Sequence, residues 1–190
     1  MSIFLALLHH PVLTRHGHVG TTAVTNVDIH DIARTARTYD VERLFLVTPI
    51  ELQQELIRRV VWHWTEGLGS RRNEARRLAI SLCEVVPDLA TARARTAAIA
   101  GKPATVVVTG AQLREEVVSF EAMRARLAQE DPAALLLFGT GYGLAPDVIA
   151  AADVKLPAID GPRGPAGYNH LPVRSACAII LDRLLGAVRS

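Results

Sequence analysis

Short, almost wholly apolar runs alternate with amphipathic stretches along the whole chain. The runs at 3–8, 44–48, 105–109 and 135–138 carry apolar residues at nearly every position, as strands buried on both faces do. Residues 154–159 form a further strand candidate and 82–86 a weaker one. Between these runs apolar positions recur every three or four residues, which predicts helices over 29–39, 50–64, 73–82, 90–100, 120–129, 145–151 and 173–188. Strands separated by helices of this size imply right-handed crossovers and a parallel sheet with helices on both faces. The expectation is one α/β domain over 1–190, with no internal repeat.

Two of the amphipathic stretches carry candidate chemistry. In TNVDIHDIARTARTY (25–39), Asn26 or Asp28 is placed to cap a helix whose apolar stripe is Ile29, Ile32, Ala33 and Ala36. His30, Arg34 and Arg37 share the flank beside that stripe. The flank reads either as a solvated face or as an anion site near a helix N-terminus. In the last helix Val173, Ala176, Cys177, Ile180 and Leu184 line the apolar side. Pro172 stands at its start, where a missing N–H costs little.

The run 135–144, LLLFGTGYGL, drives an apolar strand into three alternating glycines. It is either a tight turn that uses positive φ or a loop that brings backbone close to a bound cofactor. A dinucleotide fingerprint would be G-x-G-x-x-G at the first strand, with an acidic residue about 20 positions on. Here the spacing is G-x-G-x-G near the end of the chain, and Pro146 opens the next helix, so a nicotinamide site is disfavoured. Tyr168-Asn169-His170-Leu171, just before the last helix, is a second loop able to present backbone groups to an adenine edge.

Composition adds limits. The chain has 190 residues, 49% hydrophobic and 21% charged, enough to bury a core and too apolar for disorder. A net charge of +2 does not by itself announce a nucleic acid. All but Lys102 and Lys155 of the 21 basic residues are arginine, a bias that suits phosphate but also follows from a GC-rich genome. Cys83 and Cys177 have no ligand partners at metal spacing and read as buried free thiols. The run at 3–8 lacks a basic leader and a cleavage site, and no run reaches the ~20 apolar residues of a membrane span. A soluble, cytoplasmic protein is expected, with no metal and no membrane partner.

TNVDIHDIARTARTYDV, LLLFGTGYGL and YNHLPVRSACAIILDRLLG together resemble the SPOUT superfamily, the α/β-knot methyltransferases that use S-adenosylmethionine (SAM), over nearly the whole chain. The resemblance is nearest to a small bacterial group of SAM-dependent RNA methyltransferases. It implies a C-terminal trefoil knot and a homodimer acting on RNA, chiefly tRNA. It implies SAM contacts from Thr109, Gly110, Phe138, Gly139, Thr140, Gly141, Leu144, Ile159, Asn169, His170 and Leu171.

The IARTARTY segment is similar to the first motif of the 2′-O-ribose branch, which makes Arg34 the catalytic arginine. His30, one turn earlier, is the side chain suited to move a proton. Asp28 stands where that branch has Asn, Asp40 where Gly is usual, and Pro172 where Ser is common. Ribose 2′-O methylation is therefore the expected activity. The alternatives are base methylation of the guanine N1 type, with Asp28 or Asp31 at the base edge, and a non-catalytic RNA-binding knot protein. RNA contacts are expected from Arg37, Arg71 and Arg72, in a basic stretch that also holds Arg58, Arg59, Arg76 and Arg77. Trp62 and Trp64 beside it are either base-stacking platforms or core residues.

Overall fold

The N-terminal half runs β1 (Ser2–Leu8), a small hairpin of β2 (Val12–Leu13) and β3 (Val19–Gly20), α1 (Asn26–Thr38), β4 (Arg43–Val47), α2 (Glu51–Thr65), α3 (Leu68–Arg72), α4 (Glu74–Ile80) and β5 (Cys83–Val86). The rest runs α5 (Leu89–Ala100), β6 (Thr105–Val108), α6 (Phe120–Leu127), β7 (Ala133–Gly139), α7 (Pro146–Ala150), β8 (Val154–Lys155) and α8 (Val173–Leu185). This is a computed structural model that describes residues 1–129, 132–162 and 168–187.

The six strands of the main sheet are all parallel, in the order β5-β4-β1-β7-β6-β8. β1 is central and buried from Ile3 to Leu8, because both of its faces are covered. Ile3, Leu5 and Leu7 point into one core with Ile29, Ile32, Ile57, Ile80, Phe120, Met123 and Ile180, so α1, α2, α4, α6 and α8 cover that face. Phe4, Ala6 and Leu8 point the other way, against Ala92 of α5 and Val148 of α7. α8 lies between α1 and α6. Tyr39 Oη donates to Asp182 Oδ1 at 2.9 Å and Arg124 donates to the carbonyl of Arg183 at 3.3 Å, fixing that helix from both sides.

The connections from β1 and β7 leave in opposite directions. β1 leads through α1 to β4 on one side, while β7 leads through α7 past β6 to β8 on the other. Adjacent parallel strands with diverging connections open a crevice at their carboxyl ends, where ligands of open α/β sheets bind. Leu8 and Gly139 are register partners at that point.

The structure adjusts several sequence expectations. α1 starts at Asn26, and its cap is Thr25, not Asn26 or Asp28, because extended Thr25 accepts the Asp28 N–H on its side chain. The strand expected over 154–159 pairs only at Val154–Lys155; Leu156 N–H still donates to Val108 O at 3.0 Å, but the next N–H on that side, of Ala158, donates to Leu113 O instead. The stretch between the helices expected over 50–64 and 73–82 contains α3, and Asn73 caps α4 by accepting the Arg76 N–H at 2.9 Å. The weak strand at 82–86 is real, as β5. Position 188, expected to end the last helix, lies outside the described residues. Cys83 and Cys177 are buried free thiols, both pushed up to about 12 by burial. No helix among the described residues is long and apolar enough to cross a membrane.

Ile29 joins α1 to the sheet and is fully buried. Ile29→Ala is expected to cost about 2–5 kcal/mol through lost burial and an unfilled cavity, measured by urea unfolding.

Candidate functional site

The glycine turn closes the carboxyl end of β7. Gly141 (φ +60°) and Gly143 (φ +106°) occupy backbone conformations that residues with a Cβ rarely adopt. Gly139 is needed for a different reason: a Cβ there would lie 2.6 Å from the backbone nitrogen of Leu144. The turn is clamped to the hairpin that follows β1. Leu13 N–H donates to Gly143 O at 2.8 Å, Tyr142 N–H to Leu13 O at 3.1 Å and Ala145 N–H to Pro11 O at 3.2 Å.

A partly buried chain of side chains reinforces the clamp. Thr140 Oγ1 donates to Leu8 O at 2.9 Å and lies 2.5 Å from Thr22 Oγ1, which lies 3.1 Å from His9 Nδ1. The single Thr140 proton is committed to Leu8, so Thr22 donates to Thr140 and accepts from His9. His9 therefore carries its proton on Nδ1. Its Nε2 is buried without a hydrogen-bond partner among the described residues. Burial lowers the imidazole to about 4, against the opposing pull of Asp28 and the Ala23 backbone, so His9 is neutral.

The remaining loops expected to bind SAM gather at the same edge of the sheet. Thr109 N–H and Oγ1 both donate to Leu137 O, at 3.2 and 2.9 Å, which ties the end of β6 to β7. Ala158 N–H donates to Leu113 O at 3.0 Å, joining the segment after β8 to the loop that begins at Gly110. Asn169 Nδ2 donates to Ile159 O at 2.9 Å and Asn169 Oδ1 accepts the Gly161 N–H at 3.1 Å, so Asn169 staples the loop before α8 to residues 159–161. His170 and Leu171 are exposed, and the His170 ring meets Tyr168 edge-on at 5.1 Å. Residues 163–167 of the intervening DGPRGPAG loop lie outside the described residues.

This donor set suits SAM. Phe138, Leu144 and Thr109 are buried, Ile159 packs against the core that holds Phe138, and the polar groups of the loops are mainly backbone amides and carbonyls, which match an adenine edge. No group of three His, Cys, Asp or Glu that would hold a metal exists among the described residues. Thr109, Gly110, Phe138 to Gly141, Leu144, Ile159 and Asn169 to Leu171 are the residues that would hold the cofactor. Thr140 and Asn169 spend side-chain hydrogen bonds on the protein itself.

The α1 flank faces elsewhere. Arg34 and Arg37 are exposed, and no hydrogen bond or ion pair among the described residues links Arg34 or His30 to the glycine turn or to 169–171. His30 instead packs edge-on against Trp64 at 5.6 Å. Burial, Arg76 and Arg34 lower its pKa while Asp31 opposes them. The acidic residues of α1 approach the start of α8: Arg174 Nη1 lies 3.3 Å from Asp28 and its Nε lies 3.6 Å from Asp31. Asp28 is buried and also accepts from Thr25 Oγ1 at 2.5 Å, whereas the Asp31 side chain is 46% exposed. Arg71 and Arg72 sit on α3, and of the two tryptophans Trp62 is the exposed one, at 62%.

Sequence reasoning missed His9, Thr22 and Arg174. A histidine after a strand carries no periodic signal, and an arginine in the first turn of a helix gives no hint of a partner on α1.

A family model described as SAM-dependent RNA methyltransferase matches residues 2–186. The chain is 40% identical over 185 residues to a tRNA (guanine-N(1)-)-methyltransferase of Nitratidesulfovibrio vulgaris, covering 97% of this chain and 42% of that relative. It thus spans less than half the length of the named relatives. An uncharacterized protein of Aquifex aeolicus is 35% identical, over 99% of this chain and 90% of its own length. Among solved structures, the SpoU methyltransferase AviRb from Streptomyces viridochromogenes in complex with the cofactor AdoMet superposes with a TM-score of 0.56 at 17% identity, covering 97% of this chain and 56% of that one.

The relay makes a specific demand on His9. His9→Leu, which removes the donor to Thr22, is expected to weaken SAM binding about tenfold by calorimetry, and His9→Asn, whose amide nitrogen replaces Nδ1, to restore most of it. The same histidine sets a pH dependence. Below 6.5 the unfolded chain takes up a proton that the folded imidazole refuses until about 4, so stability falls as pH drops through that window. The expected loss is roughly 3 kcal/mol, read from urea midpoints at pH 7 and pH 4, and His9→Asn should flatten it.

Proposed function

The chain belongs to the SAM-dependent RNA methyltransferase family, and from that premise we propose that it methylates tRNA on a base nitrogen of the guanine N1 type. The observation that carries this reading is the pair of α1 carboxylates gathered by Arg174 at the root of the 169–171 loop. An N1 proton must leave before the nitrogen can form a new bond, and a carboxylate is the simplest acceptor. Asp28 is buried and engaged by Thr25 and Arg174, so its role is to fix α1 against α8. Asp31 is half-exposed and held at one edge only, which suits it to accept the proton. The names of the 40%-identical relatives support the base reading, although this chain spans 42% of the first of them.

When bound, SAM would supply an electrophilic methyl group, its sulfur–carbon bond breaking as the sulfonium leaves as a neutral thioether. The protein's part is positioning and proton removal. The glycine turn, preset by Thr140, Thr22 and His9, and the segment stapled by Asn169 are the parts of the chain that would hold the donor. Asp31 takes the N1 proton and leaves the electron pair on the ring for the new nitrogen–carbon bond. The trefoil knot and the homodimer implied by the superfamily resemblance belong to this same proposal.

Ribose 2′-O methylation, expected from the IARTARTY segment, is the second reading. What favours it is Arg34, exposed on α1 one turn beyond His30. There Arg34 would stabilise developing alkoxide charge and His30, its pKa already lowered, would take the hydroxyl proton. The guanine-N1 relatives give this reading less support than the base reading.

Incubation with labelled SAM and total tRNA, followed by digestion and mass identification of the nucleoside, separates the two. A methylated guanine base is expected, whereas a 2′-O-methylnucleoside would overturn the base reading. Asp31→Asn is expected to lower kcat by about 10²–10⁴ with SAM affinity retained, and Arg34→Ala to raise KM for tRNA more than it lowers kcat. The reverse pattern would favour the ribose.

A further inference from the structure

A cleft of about 500 Å³ opens between α1, α2 and α4, lined by Asn26, His30, Arg59, His63, Trp64 and Arg76. None of these residues belongs to the loops that gather at the carboxyl ends of β6, β7 and β8. Trp64 organises the cleft. The Arg76 guanidinium lies over its ring at 4.7 Å, and His30 and His63 meet it edge-on at 5.6 and 5.1 Å. Behind it α3 packs so closely that a Cβ at Gly69 would lie 2.8 Å from the indole. With a face taken by Arg76, Trp64 is a template for its neighbours and not the base-stacking platform that its place in the sequence suggested.

Nitrogen-bearing side chains thus face one cleft with little to neutralise them. Among the described residues Arg76 meets no carboxylate. Arg59 pairs only with Glu55 one turn earlier on α2, an exposed contact at 2.5 Å with Arg59 77% exposed, of a kind worth little in water. His30 Nδ1 is buried with no hydrogen-bond partner among the described residues. The nearest acid on α1, Asp31, is engaged by Arg174. Two guanidiniums and two imidazoles around a rigid indole form a donor set for the oxygens of an anion, and arginine's planar fork matches phosphate bidentately.

We propose that this cleft binds a backbone phosphate of the RNA substrate, held by Arg59 and Arg76 with His63 and His30 beside them. The inference deepens the RNA reading above and rests on it. A phosphate of a polyanion is favoured over a small phosphorylated metabolite by the surroundings. Arg58, Arg71 and Arg72 extend the same charge along α2 and α3, and Arg77, paired with Glu74, along α4. The contact positions RNA and takes no part in the chemistry.

The test is the salt dependence of tRNA binding. Arg76→Gln is expected to weaken affinity for unfractionated tRNA about tenfold near physiological salt. It should also make the slope of log K against log salt shallower by about 0.7–0.9, the change for one lost phosphate contact. Arg59→Gln should shift both in the same direction and serves as the second variant if loss of the Trp64 contact unfolds Arg76→Gln. Arg126→Gln, on the exposed side of α6, should change affinity less than twofold. SAM affinity reports that each variant is folded. Unchanged slopes in both cleft variants, or equal losses in Arg126→Gln, would overturn the proposal, as would a wild-type protein that binds no tRNA. Saturable micromolar binding of 5′-GMP that Arg76→Gln abolishes would make the cleft a small-molecule site and overturn it as well. If the slopes shift as expected while no methyl label enters tRNA, the phosphate contact stands and the methyltransferase reading falls.

Discussion

The parallel ladder between β1 and β7 is the constraint on which the rest of this protein depends. It pairs Ser2 with Ala133 and Leu8 with Gly139, joining the first strand of the chain to the seventh. Contacts of such sequence separation are entropically expensive to close, and they hold here because both strands are buried on both faces. Once the ladder forms, the connections that leave β1 and β7 must diverge, and the crevice between them is fixed. The hairpin after β1 then lies against the glycine turn after β7. Strand pairing, burial and site geometry are in this sense one event.

The clamp between these two loops shows how polar groups are spent inside an apolar edge. Thr140, Thr22 and His9 form a directional chain whose proton order follows from the commitment of Thr140 to Leu8. Burial keeps His9 neutral, so the chain carries no charge that would have to be solvated. On the opposite side Asn169 does similar work, using both ends of its amide to join two loops. The loops that would hold the cofactor are therefore held largely by the protein's own hydrogen bonds, a condition for binding a ligand without first ordering the site.

Charge is distributed by function across the helical face. Acidic residues of α1 are drawn to Arg174 at the start of α8, near the loops. Basic side chains gather farther off, around Trp64, where no carboxylate balances Arg76 among the described residues. A half-exposed carboxylate held by Arg174 at the start of α8, with arginines gathered elsewhere, is the arrangement that the proposed methylation of a tRNA base calls for. The family membership and this arrangement point the same way.

The alternation of apolar runs and helical periods was enough to predict a parallel α/β sheet and nearly all of its elements, because burial on both faces writes itself into consecutive residues. The three glycines and the Asn169 loop were legible for a related reason: backbone geometry that excludes a Cβ, and motifs that resemble a known superfamily. The sequence did not reveal that Thr25 caps α1, that Ala158 leaves the β6 ladder for Leu113, or that a hairpin of two short strands locks the glycine turn, since each depends on a single side chain or N–H with no period. Nor did it show that Asp28 is buried while Asp31 stays half-exposed, or that Arg76 covers a face of Trp64. Those outcomes were decided by which residues the ladder and the packing of α1 against α4 and α8 brought within a few ångströms. A sequence records the burial of each residue locally, whereas the partner that neutralises a charge or occupies a ring face is set only when distant segments meet.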